Sequence, residues 1–157
     1  MATIESGTNL SAFLDTLGYS EGTDAVTGSD HGYNVVVGGQ LFSGYADHPR
    51  RKVWLPRYKV YSSAAGRYQF LMATWDALRK KLSLPDFSPE SQDLACVELM
   101  REKNALDDVN AGKISDAITK CAPIWASLPG AGYGQREVAR QKLLDFYVSA
   151  GGKLSDS

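Results

Sequence analysis

Three carboxylates near the start of the chain have the types and spacing to do acid–base chemistry. Glu21 stands in "GYSEGTD" (residues 18–24), directly after a run of helix-like apolar residues. A carboxyl at the end of a helix feels the negative end of the helix dipole, which disfavours its charged form. Tyr19 and the turning Gly22 can bring it against apolar surface, and desolvation acts in the same direction. Both effects hold a proton near neutral pH, which is what a general acid needs. Asp30, nine residues on, would complete an acid–base pair. Asp24, three residues from Glu21, is better suited to turning or capping the chain. Position alone allows Glu21 to be an exposed helix-end acid as well as a catalytic one.

No metal or nucleotide motif accompanies these acids. His31 and His48 are far apart and there is no Cys-x-x-Cys, so no cofactor and no metal site are expected. Cys96 and Cys121 lie in helix-like stretches and are expected to be buried free thiols.

The elements that must position Glu21 follow from periodicity. Leu10, Phe13, Leu14 and Leu17 predict a short helix over 10–19, capped by Asn9 or Ser11. "YNVVVGGQLF" (33–42) reads as a β-hairpin turning at Gly-Gly. Residues 43–62 form a long connection rich in proline, glycine and charge, of the kind that is functional or mobile. From Arg67 the helical period returns, with Phe70, Leu71, Trp75, Leu78 and Leu82 on one face. Gln69 would then stand at the start of a helix beginning near Gly66. "FSPESQDLACVELMREKN" is a helix capped by Ser88, with Pro89 in its first turn. "ISDAITKCA" is shorter. "SLPGAGYGQ" (127–135) is a glycine-rich loop, and residues 135–152 form the last helix, ended by Gly151. Trp75 and Trp125 are assigned to the core. The expected fold class is α+β and mostly α, with a small N-terminal β-hairpin lobe, a larger helical lobe and a cleft that would hold an extended ligand.

Composition bounds the rest. The 157 residues are 43% apolar and 22% charged, which fits one soluble globular domain spanning 1–157. Residues 1–20 lack Lys and Arg, and "AFLDTLGY" is too short for a signal segment, so synthesis in the cytoplasm is expected. No apolar run reaches membrane-span length, and no stable membrane association is expected. The net charge of −1 conceals an asymmetry. Residues 1–47 hold six acids and no Lys or Arg; residues 48–81 hold nine Lys or Arg and one acid, Asp76. A basic strip facing an acidic lobe suits a polar or anionic ligand. The sequence pI of about 6.1 and the absence of a recognition module argue against a nucleic-acid binder.

Taken in order, "SEGTD", "HGYNVVVGGQLF", "DHPRRK", "AGRYQF", "DFSPESQD" and "IWASLPGAGYGQ" resemble the lambda-type endolysin family over nearly the whole chain. That resemblance implies a lysozyme-like two-lobed fold and lytic transglycosylase activity on peptidoglycan, cutting the MurNAc–GlcNAc β-1,4 bond and leaving a 1,6-anhydro sugar. It carries the catalytic acid to Glu21 and substrate contacts to Ser20, Tyr68, Gln69, Tyr133 and Gln135. It makes 47–62 and 127–135 two lips that border the cleft. The implied partner is the glycan strand of peptidoglycan. The implied protein is a monomer, made in the host cytoplasm and reaching the wall after a holin has permeabilised the membrane. For Tyr68 and Tyr133 core packing remains the alternative; for Gln69 it is a bond to backbone.

The chemistry leaves a second reading open. Breaking a glycosidic bond requires protonation of the leaving oxygen and stabilisation of an oxocarbenium-like sugar. A hydrolase normally uses a second carboxylate roughly 5–9.5 Å away. A transglycosylase uses the sugar's own C6 hydroxyl in place of water, so one acid suffices. In the lysozymes of the T-even phages a catalytic Glu is followed, after eight intervening residues, by Asp and, after five more, by Thr. Asp30 matches that Asp, but Val36 occupies the Thr position. Asp30 is therefore expected to be an incidental loop acid, with a hydrolytic muramidase using Glu21 and Asp30 as the alternative. A non-catalytic cell-wall-binding module, which would not need Glu21, is the alternative of another class.

Overall fold

The structure is a computed structural model that describes residues 2–3 and 8–155. The chain divides into two compact units, one of Met1–Ser20 with Cys96–Ser157 and the other of Glu21–Ala95. The N-terminal helix thus belongs with the C-terminal helices, and the β-structure lies in the central unit.

Helix α1 (Thr8–Glu21), which lies in the first unit up to Ser20, buries Leu10, Phe13, Leu14 and Leu17, the face its periodicity predicts. It begins before Asn9 and Ser11, so neither is the cap. Asn9 instead accepts the Lys153 N–H at 3.0 Å and donates to the Asn110 carbonyl at 3.3 Å, tying the helix start to the C-terminal segment. Tyr19 stacks on Phe146, ring centroids 4.3 Å apart.

In the second unit the expected 33–42 hairpin survives only as a turn. Val35 bridges Leu41, but Val36 bridges Ala65, and Val37 N–H donates to the Ala64 carbonyl. The segment divides its backbone hydrogen bonds between two partners, which leaves single bridges rather than strands. The two-stranded sheet lies instead within the expected loop: β1 (Val53–Leu55) pairs antiparallel with β2 (Val60–Ser62), with Trp54 opposite Tyr61. Pro56 and a high charge density hid that alternation.

Helix α2 (Met72–Leu82) starts five residues later than expected, because Gly66–Gln69 form a turn closed by an Ala65–Phe70 bridge. The Ser63 hydroxyl accepts the Met72 N–H. Phe70, Trp75 and Leu78 are buried as expected, whereas Leu71 is half exposed. Helix α3 (Pro89–Glu102) begins at the Ser88 cap, whose hydroxyl accepts the Ser91 N–H, and it runs from the second unit into the first.

The first unit then adds α4 (Leu106–Ala111), α5 (Ile114–Cys121) and α6 (Arg140–Ser149). The six-residue α4 is too short to leave a periodic signal in the sequence. Ile114, Ala117, Ile118 and Cys121 are buried at i, i+3, i+4, i+7 spacing. Helix α6 starts at Arg140 rather than 135. Both cysteines are buried and neither is in a disulfide, and burial pushes the Cys121 thiol up to about 12. Trp75 and Trp125 are core residues.

Candidate active site

Glu21 is the last residue of α1 and is partly exposed. It lies inside the helix end rather than beyond it. Gly22 follows with φ 78°, a conformation open to glycine at little cost, and turns the chain away.

The next two residues are held by side chains packed inside the second unit. The Thr23 hydroxyl donates to the Arg67 carbonyl at 2.6 Å, a buried bond. Gly32 presses on the same residue: a Cβ there would come within 2.8 Å of Thr23 C and Oγ1. Asp24 Oδ2 lies 3.5 Å from Arg67 Nη2, and its Oδ1 is 3.8 Å from His31 Nδ1.

Arg67 has no exposed surface. Its guanidinium sits over the rings of Tyr33 and Tyr68, 5.3 and 5.8 Å from their centroids. Both tyrosine hydroxyls donate to Asp93 Oδ1, at 2.9 and 2.5 Å. Burial, followed by the nearby Asp93 charge, drives the Tyr33 phenol well above its ordinary range, so it stays a donor. A buried guanidinium over aromatic faces, with carboxylates beside it, is a charge arrangement that survives only when paired.

Gln92 locks this network to the 66–69 turn. Its Oε1 accepts the Arg67 N–H at 3.0 Å, and its Nε2 donates to the carbonyls of Tyr33 and Phe87. The sequence reading missed Thr23, Arg67, Gln92 and Asp93. The available signal was a run of polar residues, Ser91 to Asp93, all buried near the start of α3.

The expected substrate contacts fall into different settings. Tyr68 is fully buried, so its ring packs inside the unit; core packing was the alternative at this position. Gln69 stands at the end of a turn, not at a helix start, with φ 55°. Its Nε2 donates to the Gly66 and Val35 carbonyls at 2.9 and 3.3 Å. The amide hydrogens are thus occupied by backbone.

Ser20, Tyr133 and Gln135 belong to the other unit. Ser20 is buried; its hydroxyl shares a 2.8 Å bond with Ser127, and its carbonyl accepts Arg136 Nη2 at 2.7 Å. Arg136 therefore links the glycine-rich loop to the residue immediately before Glu21. Tyr133 is 55% exposed and its hydroxyl donates to the Pro123 carbonyl. Gln135 is exposed. The loop is gathered by Glu137, whose carboxylate accepts the N–H groups of Gly130 and Gly132 at 3.0 and 3.1 Å.

Asp30 is exposed and already engaged. Its Oδ2 accepts the Tyr45 hydroxyl at 2.7 Å, and its backbone N–H donates to Asn34 Oδ1. Among the described residues no cluster of three or more His, Cys, Asp or Glu could hold a metal.

These features match known proteins. A family sequence model described as Endolysin covers residues 11–154. The chain is 48% identical to the endolysin of Escherichia phage lambda over 155 residues, 98% of each chain. It is 47% identical to the endolysin of Escherichia phage P2, over 97% of this chain and 98% of that one. The solved structure of bacteriophage lambda lysozyme complexed with a chitohexasaccharide superposes with a TM-score of 0.91 at 47% identity, covering 97% of this chain and 99% of that one. A second lambda lysozyme structure gives 0.88. Identity at this level, over the full length and with the same fold, has one explanation: the chain belongs to the endolysin family.

Proposed function

We propose that this chain is a phage endolysin, one catalytic domain that cleaves the MurNAc–GlcNAc β-1,4 bond of peptidoglycan by lytic transglycosylation. The observation that carries this reading is the contrast between the two candidate carboxylates. Glu21 ends a helix and is followed by a segment clamped in a buried network, whereas the Asp30 carboxylate is taken by Tyr45. The lambda relative, whose structure holds a chitohexasaccharide, supports a glycan ligand.

In this mechanism the Glu21 carboxyl gives its proton to the GlcNAc O4 as the bond to MurNAc C1 breaks. The resulting carboxylate takes the proton of the MurNAc C6 hydroxyl, whose oxygen closes on C1. The products are a 1,6-anhydroMurNAc end and a free GlcNAc 4-hydroxyl, with no water consumed. Glu21 returns to its acid form.

Gln69 offers its Oε1 as the acceptor for a sugar hydroxyl or N-acetyl N–H, since its donors are occupied. Tyr133 presents an exposed ring face, and Gln135 an exposed amide. Ser20 acts by fixing the chain before Glu21, and Tyr68 by supporting the turn that carries Gln69. No helix among the described residues is long and apolar enough to cross a membrane. Access to the wall is assigned to permeabilisation by a holin, as the family resemblance implies.

Digestion of purified sacculi in heavy-oxygen water tests the mechanism. Muropeptides ending in unlabelled 1,6-anhydroMurNAc are expected. Asp30→Asn should keep most activity, while Glu21→Gln should lose about 10²–10⁴-fold, the usual worth of a general acid–base group. Labelled reducing ends together with an inactive Asp30→Asn would establish a hydrolytic muramidase instead. Full clearing by Glu21→Gln would remove Glu21 from the chemistry.

A further inference from the structure

The β1–β2 hairpin carries a surface that the acid–base mechanism does not use. Side chains alternate between its faces. Val53 and Leu55 are partly buried, and Val53 Cγ1 lies against Gly38, where a Cβ would be 3.9 Å away. The other face presents the cross-strand pair Trp54 and Tyr61, 46% and 68% exposed, with ring centroids 5.0 Å apart.

Four cations flank that pair. Arg51, Lys52, Arg57 and Lys59 are all exposed, and none forms an ion pair among the described residues. Arg57 lies over the neighbouring Tyr58 ring. Arg50, which the sequence places in the same strip, behaves differently: it is held by Asp47 at 2.7 Å and by Asp76 at 2.5 Å. The nearest basic residue is thus neutralised within the fold, and the hairpin's own four are left facing solvent. No acid occurs from residue 48 to residue 75.

We propose that this face recognises the anionic, peptide-bearing part of the wall, the four cations meeting stem-peptide carboxylates and Trp54 with Tyr61 giving the apolar contact. The proposal rests on peptidoglycan being the substrate. Charge complementarity selects the occupant. A strand of GlcNAc alone is neutral and would leave four cations without a counterpart, and a peptide-free MurNAc strand offers only the single lactyl carboxylate of each disaccharide. Stem peptides carry carboxylates at regular intervals along the strand, and an extended basic strip can meet several at once. Exposed ion pairs are individually weak and screened by salt, so the effect is cumulative and salt-sensitive. The hairpin would then favour peptide-substituted strands over naked ones, without touching the reacting atoms.

The test is binding by the full chain carrying Glu21→Gln, which separates recognition from turnover. It is compared with and without Arg51→Gln, Lys52→Gln, Arg57→Gln and Lys59→Gln together, and the unfolding midpoint checks that the fold is kept. Purified sacculi, neutral chitohexaose and phosphatidylglycerol vesicles are the three probes. The fourfold variant is expected to bind sacculi about tenfold more weakly at low salt, a gap that closes at high salt. Its binding to chitohexaose is expected to be unchanged.

Unchanged binding to sacculi overturns the proposal, and so does an equal loss on chitohexaose, which would make the face a neutral-sugar site. Vesicle binding as strong as sacculus binding, and abolished in the variant, would assign the face to a lipid surface instead. Turnover by the chain with Glu21 intact reports separately on the activity. If that chain makes no anhydro product while the fourfold effect on binding persists, the catalytic reading fails and the hairpin reading stands.

Discussion

The segment after Glu21 and the loop 127–135 are built on opposite plans. Thr23 is buried, its hydroxyl is tied to Arg67, and Gly32 packs so closely that a Cβ there would collide with it. Behind it stand a buried guanidinium, two buried tyrosines and a buried aspartate. In the loop, Gly130, Gly132 and Gly134 all have positive φ, a Cβ at any of them would meet nothing within 4 Å, and the bonds that gather it are exposed. The proton transfer proposed for Glu21 requires a group held in place to within a fraction of an ångström, and over-determined neighbours suit that proposal. The contact with a long polymer proposed for the 127–135 loop would gain from adjustability, and glycine with exposed polar contacts supplies that.

The largest expected effect breaks the first plan. Arg67→Met removes the cation beside Asp24 and over the Tyr33 and Tyr68 rings while keeping much of the volume. Uncompensated buried charge of this kind costs about 3–5 kcal/mol. Urea unfolding should show that loss, and adding Asp93→Asn should recover part of it. A loss below about 1 kcal/mol would mean that the network is not what holds the segment.

Acid should loosen the second unit in an intermediate way. His48 is buried; its Nε2–H donates to the Phe70 carbonyl and its Nδ1 accepts the Arg50 N–H, which fixes a neutral ring. Burial lowers its pKa below the ordinary value of about 6.5. The unfolded chain therefore binds this proton first. The stability His48 contributes is complete above about pH 6.5 and falls as the pH drops towards the folded-state value. Asp47, held low chiefly by the Arg50 hydrogen bond, contributes a second loss with the same sign, below about pH 4. Urea midpoints should decline from pH 7 to pH 5, and His48→Gln should flatten that limb. An identical decline in the variant would place the titration elsewhere.

The smallest effect lies in the loop. Glu137→Gln weakens the acceptor for two exposed glycine N–H groups, and global stability should change by no more than about 0.5 kcal/mol. Amide exchange at Gly130 and Gly132 should nonetheless quicken, and KM should rise with kcat nearly constant. A large drop in kcat would show that the loop is held as tightly as the segment after Glu21.

Much of this was legible in the residues. The period of Leu10, Phe13, Leu14 and Leu17 announced α1, and the spacing of Ile114, Ala117, Ile118 and Cys121 announced α5, because each helix buries one stripe. Glu21 was nominated by the six motifs around it that agree on a family; its position at a helix end alone leaves an exposed helix-end acid equally open. The hairpin was misplaced. "NVVVGG" has the right residue types, yet its backbone found two partners, while "VWLPRYKVY" looked like a loop and paired with itself.

The sequence by itself determined the helical face of α1, the acid at its end and the family to which the chain belongs, since these depend on local periodicity and on matched motifs. Only the tertiary structure decided that Tyr68 turns inward, that Arg67 with Asp93 and Gln92 anchors the residues after Glu21, and that Asp30 is taken by Tyr45. Those facts rest on contacts between residues up to 60 positions apart, such as Tyr33 with Asp93. A buried charge and its partner become necessary to each other only once packing has excluded water from both.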